Sequence, residues 1–507
     1  MCRNKILSVC FLIFCAAGFV SAQKVSADQN ALVKFEKSIE QGNFAAIERD
    51  LLNYAISHPK DAKAFELLGK LRFAQNRFNE AKSLFQKSLS IDPTSVSVKI
   101  NLAVADFQLG NTAQAIPSLD EITDREISSD ALRLKLAQAY LIAGNCRKTL
   151  DNIEKLNVKT KNGEALPLRA VCYLQLGEKE KIGVLIPLAK TAAKQNVEST
   201  VKFAEVLSDA AMYKESAEIL RSAATVAPQN ADVMILLAKA EIYTKDFVNA
   251  KIHLDRAAKI DPNSSALLSV QSLLETEQGN SAQSFALMEK SLAANPDSTT
   301  VLSQFVIAAM RVKETRKAVK AAERLLELKP DEPEFLYLYG AALLQNNKLA
   351  EAEKTLIRFA EIDPKNSRGC LALGLTYAAQ PEKFEAARKQ FERCVEINPN
   401  NFEAKYQIGL SYKAQGETVK SIEYFEETVN LAPNYSLVLR DLGTAYLQAG
   451  EEVKARAALE KAVLLDPNDP DTHFQLSRLY NLTGETELAK KHLEIFKKLK
   501  APKPDGM

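Results

Sequence analysis

The feature that most constrains the fold of this 507-residue chain is a spacing of 34 residues that recurs along it. Prolines repeat at this spacing in the second half, with one interval of 35 residues. They are Pro228, Pro262, Pro296, Pro330, Pro364, Pro399, Pro433 and Pro467. A fixed recurrence of this length is typical of arrays built from one small supersecondary unit. The sequence therefore predicts tandem repeats in place of several independent globular cores.

Two series of mostly small residues keep the same register, including the region that lacks the closing prolines. The first series is Gly69, Ala103, Ala137, Ala170, Ala204, Ala238, Ser272, Val306, Gly340, Gly374, Gly409, Gly443 and Ser477. The second follows it by 12 or 13 residues, at Ala81, Ala115, Thr149, Gly183, Ser216, Ala250, Ser284, Ala318, Ala352, Ala387, Ser421, Ala455 and Ala489. Small side chains at fixed positions let two helices approach closely, so each unit is predicted to be a helix pair.

Residues 434–467 form the clearest unit. Its apolar stripes at helical spacing are Leu439, Leu442 and Tyr446 before a turn at Gly450, and Ala455, Leu459 and Ala462 after it. Each predicted helix has one apolar face and one polar face. A single pair is too thin to bury its apolar face alone, so stability must come from stacking on neighbouring pairs.

These positions resemble the tetratricopeptide repeat family, whose motif joins a Leu-Gly pair, a Tyr, a second-helix Ala and a closing Pro. The residues that carry the resemblance are Leu442, Gly443, Tyr446, Ala455, Leu459, Ala462 and Pro467. Another copy matches at Ile408, Gly409, Tyr412, Phe425 and Pro433, with Ser421 in place of Ala. The resemblance implies an all-α fold, a right-handed superhelical solenoid of antiparallel helix pairs. About 14 pairs are expected between residues 25 and 501.

The pattern predicts four segments of unequal character. Residues 1–22 are a signal peptide, and residues 23–195 are an irregular array in which Pro117 and Pro187 fall inside predicted second helices. An internal proline removes a helix hydrogen bond and usually bends the helix. Residues 196–501 form a regular array, and residues 502–507 are a disordered tail.

The amino terminus predicts export. Arg3 and Lys5 precede an apolar run from residue 6 to residue 20, and Ser21-Ala22 follows with small residues at a cleavage site. An uncleaved membrane anchor is the alternative, but this run is short for a bilayer span. The expected location is periplasmic, envelope-associated or extracellular, with no stable membrane span after cleavage.

Removal of residues 1–22 takes away two of 66 basic residues and none of 64 acidic ones, which leaves the mature chain formally neutral. A neutral chain lacks the positive field that general nucleic-acid binding needs, so no nucleic-acid partner is expected. Four cysteines remain: Cys146, Cys172, Cys370 and Cys394. Cys146 with Cys172 and Cys370 with Cys394 are candidate disulfides. The favoured interpretation is four small buried apolar side chains.

Catalytic chemistry has little support in the sequence. The four histidines, His58, His253, His473 and His492, belong to no metal-binding or nucleophile-base spacing. There is no Gly-rich phosphate loop, no Cys-x-x-Cys and no Gly-x-Ser-x-Gly. We therefore expect no enzymatic activity, no catalytic residue, no cofactor and no metal.

Function is instead expected on the concave face, which in the resembled family is lined by the first helix of each pair. The residues three before the small position in the last five units are Tyr337, Leu371, Tyr406, Arg440 and Phe474. Further partner-binding candidates on the same helices are Gln345, Leu410, Thr444, Gln448 and Arg478. Aromatic and Arg side chains dominate protein recognition energies. The alternative is that Tyr337, Tyr406 and Phe474 only pack against adjacent first helices.

The clamp that repeats of this family use for the carboxyl terminus of cytosolic heat-shock chaperones is absent. It needs Asn directly after the small position, where this chain has residues such as Lys70, Leu375 and Thr444. The leading hypothesis is a non-enzymatic exported scaffold that binds a protein or peptide segment, in an envelope or secretion assembly. The alternative is an accessory factor of polysaccharide or glycan export or modification.

Overall fold

A computed structural model describes residues 27–501 of the chain. The predicted signal peptide, residues 1–22, and the predicted tail, residues 502–507, lie outside the described residues. The chain divides into two compact units, and the division falls between Leu274 and Glu275. We call them unit 1 and unit 2 and describe each by itself.

Unit 1 is a succession of helices, most of them joined by short turns. Its helices are α1 (Ala27–Glu40), α2 (Phe44–Ser57), α3 (Ala62–Ala74), α4 (Phe78–Ile91), α5 (Val96–Gln108), α6 (Thr112–Asp120), α7 (Asp130–Ile142), α8 (Cys146–Glu154), α9 (Val158–Lys161), α10 (Leu166–Gln175), α11 (Ile182–Ala192), α12 (Val197–Asp209), α13 (Tyr213–Val226), α14 (Ala231–Tyr243) and α15 (Phe247–Ile260). A short 3₁₀ helix, Lys179–Lys181, precedes α11. The division between the units falls inside α16 (Ser265–Glu277).

Unit 2 continues with helices of nearly constant length. They are α17 (Ser281–Ala294), α18 (Thr299–Arg311), α19 (Thr315–Leu328), α20 (Pro333–Gln345), α21 (Leu349–Ile362), α22 (Ser367–Ala378), α23 (Phe384–Ile397), α24 (Phe402–Ala414), α25 (Thr418–Leu431), α26 (Ser436–Gln448), α27 (Glu452–Leu465), α28 (Pro470–Leu482) and α29 (Thr486–Lys500). A 3₁₀ helix, Pro381–Lys383, accommodates the one additional residue of the repeat.

The glycines of the first series fall where two helices of one pair meet. A Cβ atom added at Gly443 of α26 would lie 2.6 Å from Leu459 Cγ of α27. At Gly409 of α24 it would lie 2.6 Å from Cε1 of Phe425 in α25. Both distances are shorter than real carbon contacts, so these positions exclude larger side chains. The all-α solenoid of stacked helix pairs predicted from the sequence is confirmed.

Local sequence chemistry sets the helix ends. The Asp469 side chain accepts hydrogen bonds from the backbone N–H groups of Asp471 and Thr472 and so caps α28, whose first residue is Pro470. At the other end of a helix, Gly450 adopts φ of 77°, a left-handed conformation that glycine enters without a steric penalty. Pairs are therefore defined by caps and turns as well as by their apolar stripes.

Helix lengths in unit 1 vary most between residues 112 and 192. Helices α6 and α8 have nine residues each, and α9 has four. Pro117 lies inside α6 and Pro187 inside α11, as predicted. The boundary between an irregular and a regular array near residue 195 stays a prediction, because the compact units divide elsewhere, at residue 274.

The cysteines behave as two different pairs. Cys370 of α22 and Cys394 of α23 form a disulfide, so the favoured interpretation of four thiols is wrong for this pair. The two helices pack side by side, which brings the sulfur atoms together across 24 residues of sequence. Cys146 and Cys172 are buried thiols hydrogen-bonded to each other, and this bond lowers the pKa of Cys146 while burial opposes the shift.

Within residues 27–501, no helix combines the length and the apolar character that a bilayer crossing requires.

Candidate partner-binding groove

The predicted partner-binding residues all lie on first helices of unit 2. These helices are α20, α22, α24, α26 and α28, and we call the face that carries the ten predicted residues the groove face. Contacts join α20 to α22 and α26 to α28 directly. A hydrogen bond joins α24 to α26, so the groove face is continuous from Tyr406 to the end of the unit.

At the start of the groove face, Tyr337 is half-buried beneath an arginine. The Arg368 guanidinium carbon lies 3.9 Å from the Tyr337 ring centroid. Arg368 also donates two hydrogen bonds to Glu334, from Nη1 to Oε2 at 2.9 Å and from Nη2 to Oε1 at 3.2 Å. Burial alone would lower the pKa of the Arg368 guanidinium. The hydrogen bonds and the negative charge of Glu334 outweigh burial, so the pKa is raised. This bidentate geometry fixes the arginine over the ring. Leu371 of the next first helix, α22, is half-buried and packs against the core around Cys370.

The middle of the groove face is a network centred on Asp441. The Tyr406 hydroxyl donates to Asp441 Oδ2 at 2.7 Å, and Lys413 Nζ donates to Oδ1 at 2.6 Å. Arg440 donates to Asp441 Oδ2 and to Asp469 Oδ2, each at 3.3 Å. Two cations therefore face two carboxylates, and the charges of the network balance.

Tyr406 is part of the packing in this structure. It is 6% exposed, and its ring contacts those of Phe425 and Tyr435. Burial and the neighbouring Asp441 carboxylate together raise the pKa of Tyr406 far above its ordinary value. Thr444 is also buried, and its hydroxyl donates to the Arg440 carbonyl at 2.8 Å. Tyr406 thus has the environment that the packing alternative describes, and the roles of Tyr406 and Thr444 towards a partner stay predictions.

The exposed residues concentrate at the end of the groove face. Phe474 is 38% exposed and its ring centroid lies 5.2 Å from that of Phe496. Arg478 and Gln448 are exposed, and Arg478 Nη1 donates to Gln475 Oε1 at 3.2 Å. Gln448, Phe474 and Arg478 thus offer an amide, an aromatic ring and a guanidinium to solvent on adjacent helices.

The two remaining predicted residues have different surroundings. Gln345 is exposed and its Nε2 donates to the Met310 carbonyl at 2.9 Å, which ties α20 to α18. Leu410 is half-buried against the core around Phe425 and Leu442. Along α24 it lies between Tyr406 and Lys413, the two residues of that helix that donate to Asp441.

Sequence reasoning missed the residues that hold Arg440 and Tyr406 in place. Asp441, Asp469 and Lys413 were not singled out, although Asp469 carried a signal because an Asp before Pro is typical of a helix start. Arg368 was missed as well, because it lies one turn before the position that the repeat pattern marks. For Asp441 no signal existed, since a lone Asp on a predicted helix is usually solvated.

Among residues 27–501, His, Cys, Asp and Glu side chains form no group of three or more that could hold a metal ion. The groove face combines the charge-balanced network around Asp441 with an exposed end that carries aromatic and polar side chains. Such a surface presents hydrogen-bonding and stacking groups to a partner chain.

The fold and the groove face define a helical-repeat protein that presents a surface built from first helices. Two family models, both described as tetratricopeptide repeat, match the chain. One matches residues 72–127, 207–274 and 412–473, and the other residues 304–367 and 371–436. Together they cover more than half of the chain, which belongs to the tetratricopeptide repeat family. Proteins of this fold bind protein or peptide partners and are typically non-enzymatic scaffolds.

Solved structures resemble the chain at low sequence identity. The chain of the APC/C hetero-tetramer Cut9-Hcn1 is 13% identical with a TM-score of 0.43, and the match covers 96% of this chain and 99% of that one. A tetratricopeptide repeat protein from Parabacteroides merdae is 18% identical with a TM-score of 0.42, over 52% and 98% of the two chains. YrrB is 20% identical with a TM-score of 0.32, over 37% and 96%. No curated protein matches the sequence of this chain.

Proposed function

We propose that this chain is a non-enzymatic exported scaffold of about 14 tetratricopeptide repeats that binds a protein or peptide segment on the groove face of unit 2. The observation that carries the proposal is the exposed end of that face, where Gln448, Phe474 and Arg478 are presented beside the Asp441 network. Because that network is internally paired, it orders α24, α26 and α28 before a partner arrives, which lowers the entropic cost of binding.

Export is proposed from two features of the chain. Residues 1–22 have the charge, apolar run and small residues of a secretory signal. The Cys370–Cys394 disulfide is the kind of bond that persists in oxidising compartments. We infer that the scaffold acts in the assembly of an envelope or secretion complex.

Photocrosslinking tests the binding proposal with a matched control. Benzoyl-phenylalanine would be introduced in the cell at Phe474 of the groove face and, separately, at Val453, which is 84% exposed on a second helix of the same unit. We expect Phe474 to capture one or a few proteins that Val453 does not capture, and Arg478→Ala to weaken that capture. Identical products from the two positions, or none from Phe474, would contradict the proposal.

Amino-terminal sequencing of the chain recovered from its native cells tests export. We expect the mature chain to begin at Gln23 and to be found outside the cytosol. A mature chain that retains residues 1–22 in the cytosolic fraction would contradict the export proposal and leave partner binding intact.

A further inference from the structure

Two histidines meet where α28 and α29 pack together in unit 2. The Nδ1 atom of His473 on α28 lies 2.9 Å from the Nδ1 atom of His492 on α29. The Nε2 atom of His473 lies 3.0 Å from the Pro467 carbonyl oxygen. A carbonyl oxygen only accepts hydrogen bonds, so Nε2 of His473 carries a proton. In the neutral pair, Nδ1 of His473 is therefore an acceptor, and the Nδ1–H group of His492 donates to it.

This geometry limits the number of protons that the pair can hold. One added proton is accommodated, because a single N–H group can still lie between the two Nδ1 atoms. A second added proton places an N–H group on each ring, and two such groups repel each other at 2.9 Å. In an unfolded chain both histidines take up their protons near pH 6.5, at about the ordinary pKa of the side chain. The second proton therefore binds the unfolded chain more readily than the folded one.

The environment of His492 adds to this resistance. Burial lowers its pKa, and the positive charges of His473 and Lys491 lower it further. Glu460 of α27 is the group that opposes the shift. Because the folded-state pKa is lowered, the contact stabilises the fold fully above about pH 6.5, and this contribution is lost as the pH falls below that value.

The Glu460 carboxylate is engaged by other groups. It accepts a hydrogen bond from the Tyr480 hydroxyl at 2.9 Å, and its Oε1 lies 3.9 Å from Nη1 of Arg456. Arg456 also donates to Glu485, the residue directly before α29, at 3.1 Å. These contacts hold the amino-terminal end of α29, and they leave little of the Glu460 charge to balance two imidazolium ions.

The rest of α29 is weakly held. Within residues 486–500, only Ala489 is buried. An ion pair between α28 and α29 joins Lys500 to Asp471 at 3.4 Å, but both side chains are more than half exposed, so it contributes little. Loss of the histidine contact is therefore expected to let this helix separate from α28.

The histidine contact lies beside the exposed end of the groove face. Phe474 follows His473 on α28, and Phe496 lies one turn after His492 on α29. The centroids of the two phenylalanine rings are 5.2 Å apart. Separation of α29 would remove this support from Phe474 and so change the surface that the groove face offers to a partner.

We propose that the His473–His492 contact is an acid-sensitive switch that holds α29 on α28 at neutral pH and releases it when both rings are protonated, which disrupts the end of the groove face. The proposal adds regulation by pH to that face, and it rests on the proposed function in taking the face as the binding surface. The separation of α29 can be measured without any partner.

The test is amide hydrogen exchange of the full chain, with rates corrected for the intrinsic effect of pH. Peptides from residues 486–500 report on α29, and peptides from residues 436–448 of α26 are the internal reference. Between about pH 7 and pH 5 we expect the protection of residues 486–500 to fall at least about tenfold, the change that one pKa unit between the folded and unfolded states produces. The protection of α26 is expected to stay constant.

Fluorescence gives a second measurement at the same junction. The chain contains no tryptophan, so Phe496→Trp introduces a unique indole on α29. Its emission maximum is expected to move to longer wavelength over the same pH range, because separation of the helix exposes the ring to water.

Variants assign the response to the pair. His492→Asn keeps an amide donor towards Nδ1 of His473 and has no titratable ring, and His473→Gln keeps a donor towards the Pro467 carbonyl. Each is expected to abolish the loss of protection in acid. His58→Asn changes a half-buried histidine of unit 1 and is expected to leave the response of α29 unchanged.

Protection of residues 486–500 that stays constant between neutral and acidic pH, or that falls equally in α26, would overturn the proposal. So would an acid response that persists in a folded variant lacking either ring. Failure of Phe474 to capture a partner would contradict the groove-face proposal without altering these measurements, so the two failures are distinguishable.

Discussion

The Tyr406 hydroxyl donates a 2.7 Å hydrogen bond to Asp441, which joins two successive first helices through a buried carboxylate. Tyr406→Phe removes this donor and is expected to lower the free energy of unfolding by about 1–2 kcal/mol, because Asp441 is charged and buried. Tyr435→Phe is the matched control. Its ring packs 5.4 Å from that of Tyr406, but its hydroxyl is not among the donors to Asp441. Equal losses for the two variants in urea denaturation would contradict a specific role for the bond.

The small residue in the first helix should be sensitive to a single methyl group. Gly443→Ala places a Cβ atom 2.6 Å from Leu459 Cγ, and we expect a loss of about 1–3 kcal/mol from overpacking. Gly183→Ala is the control, because a Cβ atom there meets nothing within 4 Å and the residue is helical. It should be neutral or stabilise by up to about 1 kcal/mol. Urea denaturation of both variants measures whether the free energy of unfolding falls for Gly443→Ala and stays the same or rises for Gly183→Ala.

The buried carboxylate of Glu66 on α3 predicts a loss of stability in acid. Burial alone would raise the pKa of Glu66, but the charges of Lys70, Lys63 and Lys135 lower it to about 2 from an ordinary 4.5. Because the folded-state pKa lies below the unfolded one, the carboxylate stabilises the fold fully above pH 4.5, and this contribution disappears as the pH falls towards 2.

Glu66→Gln has no such dependence. We therefore expect the stability difference between the natural chain and Glu66→Gln to shrink by about 3 kcal/mol between pH 6 and pH 2. Glu36 also faces Lys63 and Lys70, so the comparison is made against this single variant to isolate Glu66. A difference that stays constant over the series, measured by urea denaturation at each pH, would show that the lysines do not stabilise the Glu66 carboxylate.

The two cysteine pairs should differ in chemistry. After denaturation with an alkylating reagent and no reductant, digestion is expected to leave the peptides of Cys370 and Cys394 joined, while Cys146 and Cys172 carry the reagent. Reduction should then lower the free energy of unfolding by about 3 kcal/mol, as expected for a closed loop of this length. The Cys370→Ala/Cys394→Ala double variant should not respond to reductant. Joined peptides of Cys146 and Cys172 would contradict the assignment.

The helices and their pairing could be predicted from the sequence because they depend on local periodicity. Gly443 and Leu459 were assigned to packing from their spacing, and their close approach follows from the same spacing. Pro117 and Pro187 were placed inside helices for the same reason. These features need only the position of a residue along one helix and within one repeat.

The candidate site was less predictable, because a helix position defines a face but not what covers that face. Tyr406 and Phe474 occupy equivalent positions in their repeats, yet Tyr406 is covered by Tyr435 and Asp441, while Phe474 keeps more than a third of its surface in solvent. Contacts between repeats therefore decide which of the periodic positions remain accessible.

The Cys370–Cys394 bond lies within one layer of the array, between α22 and α23, and does not tie one layer to the next. Under mechanical tension, layers of such an array can unravel one after another, since each is held mainly by its neighbours. Until it is reduced, the bond would prevent the 24-residue segment that it closes from extending, which shortens the fully stretched chain by about 80 Å. In a pulling experiment, reductant should therefore lengthen the fully extended chain by that amount, which makes one layer a redox-dependent limit on extension.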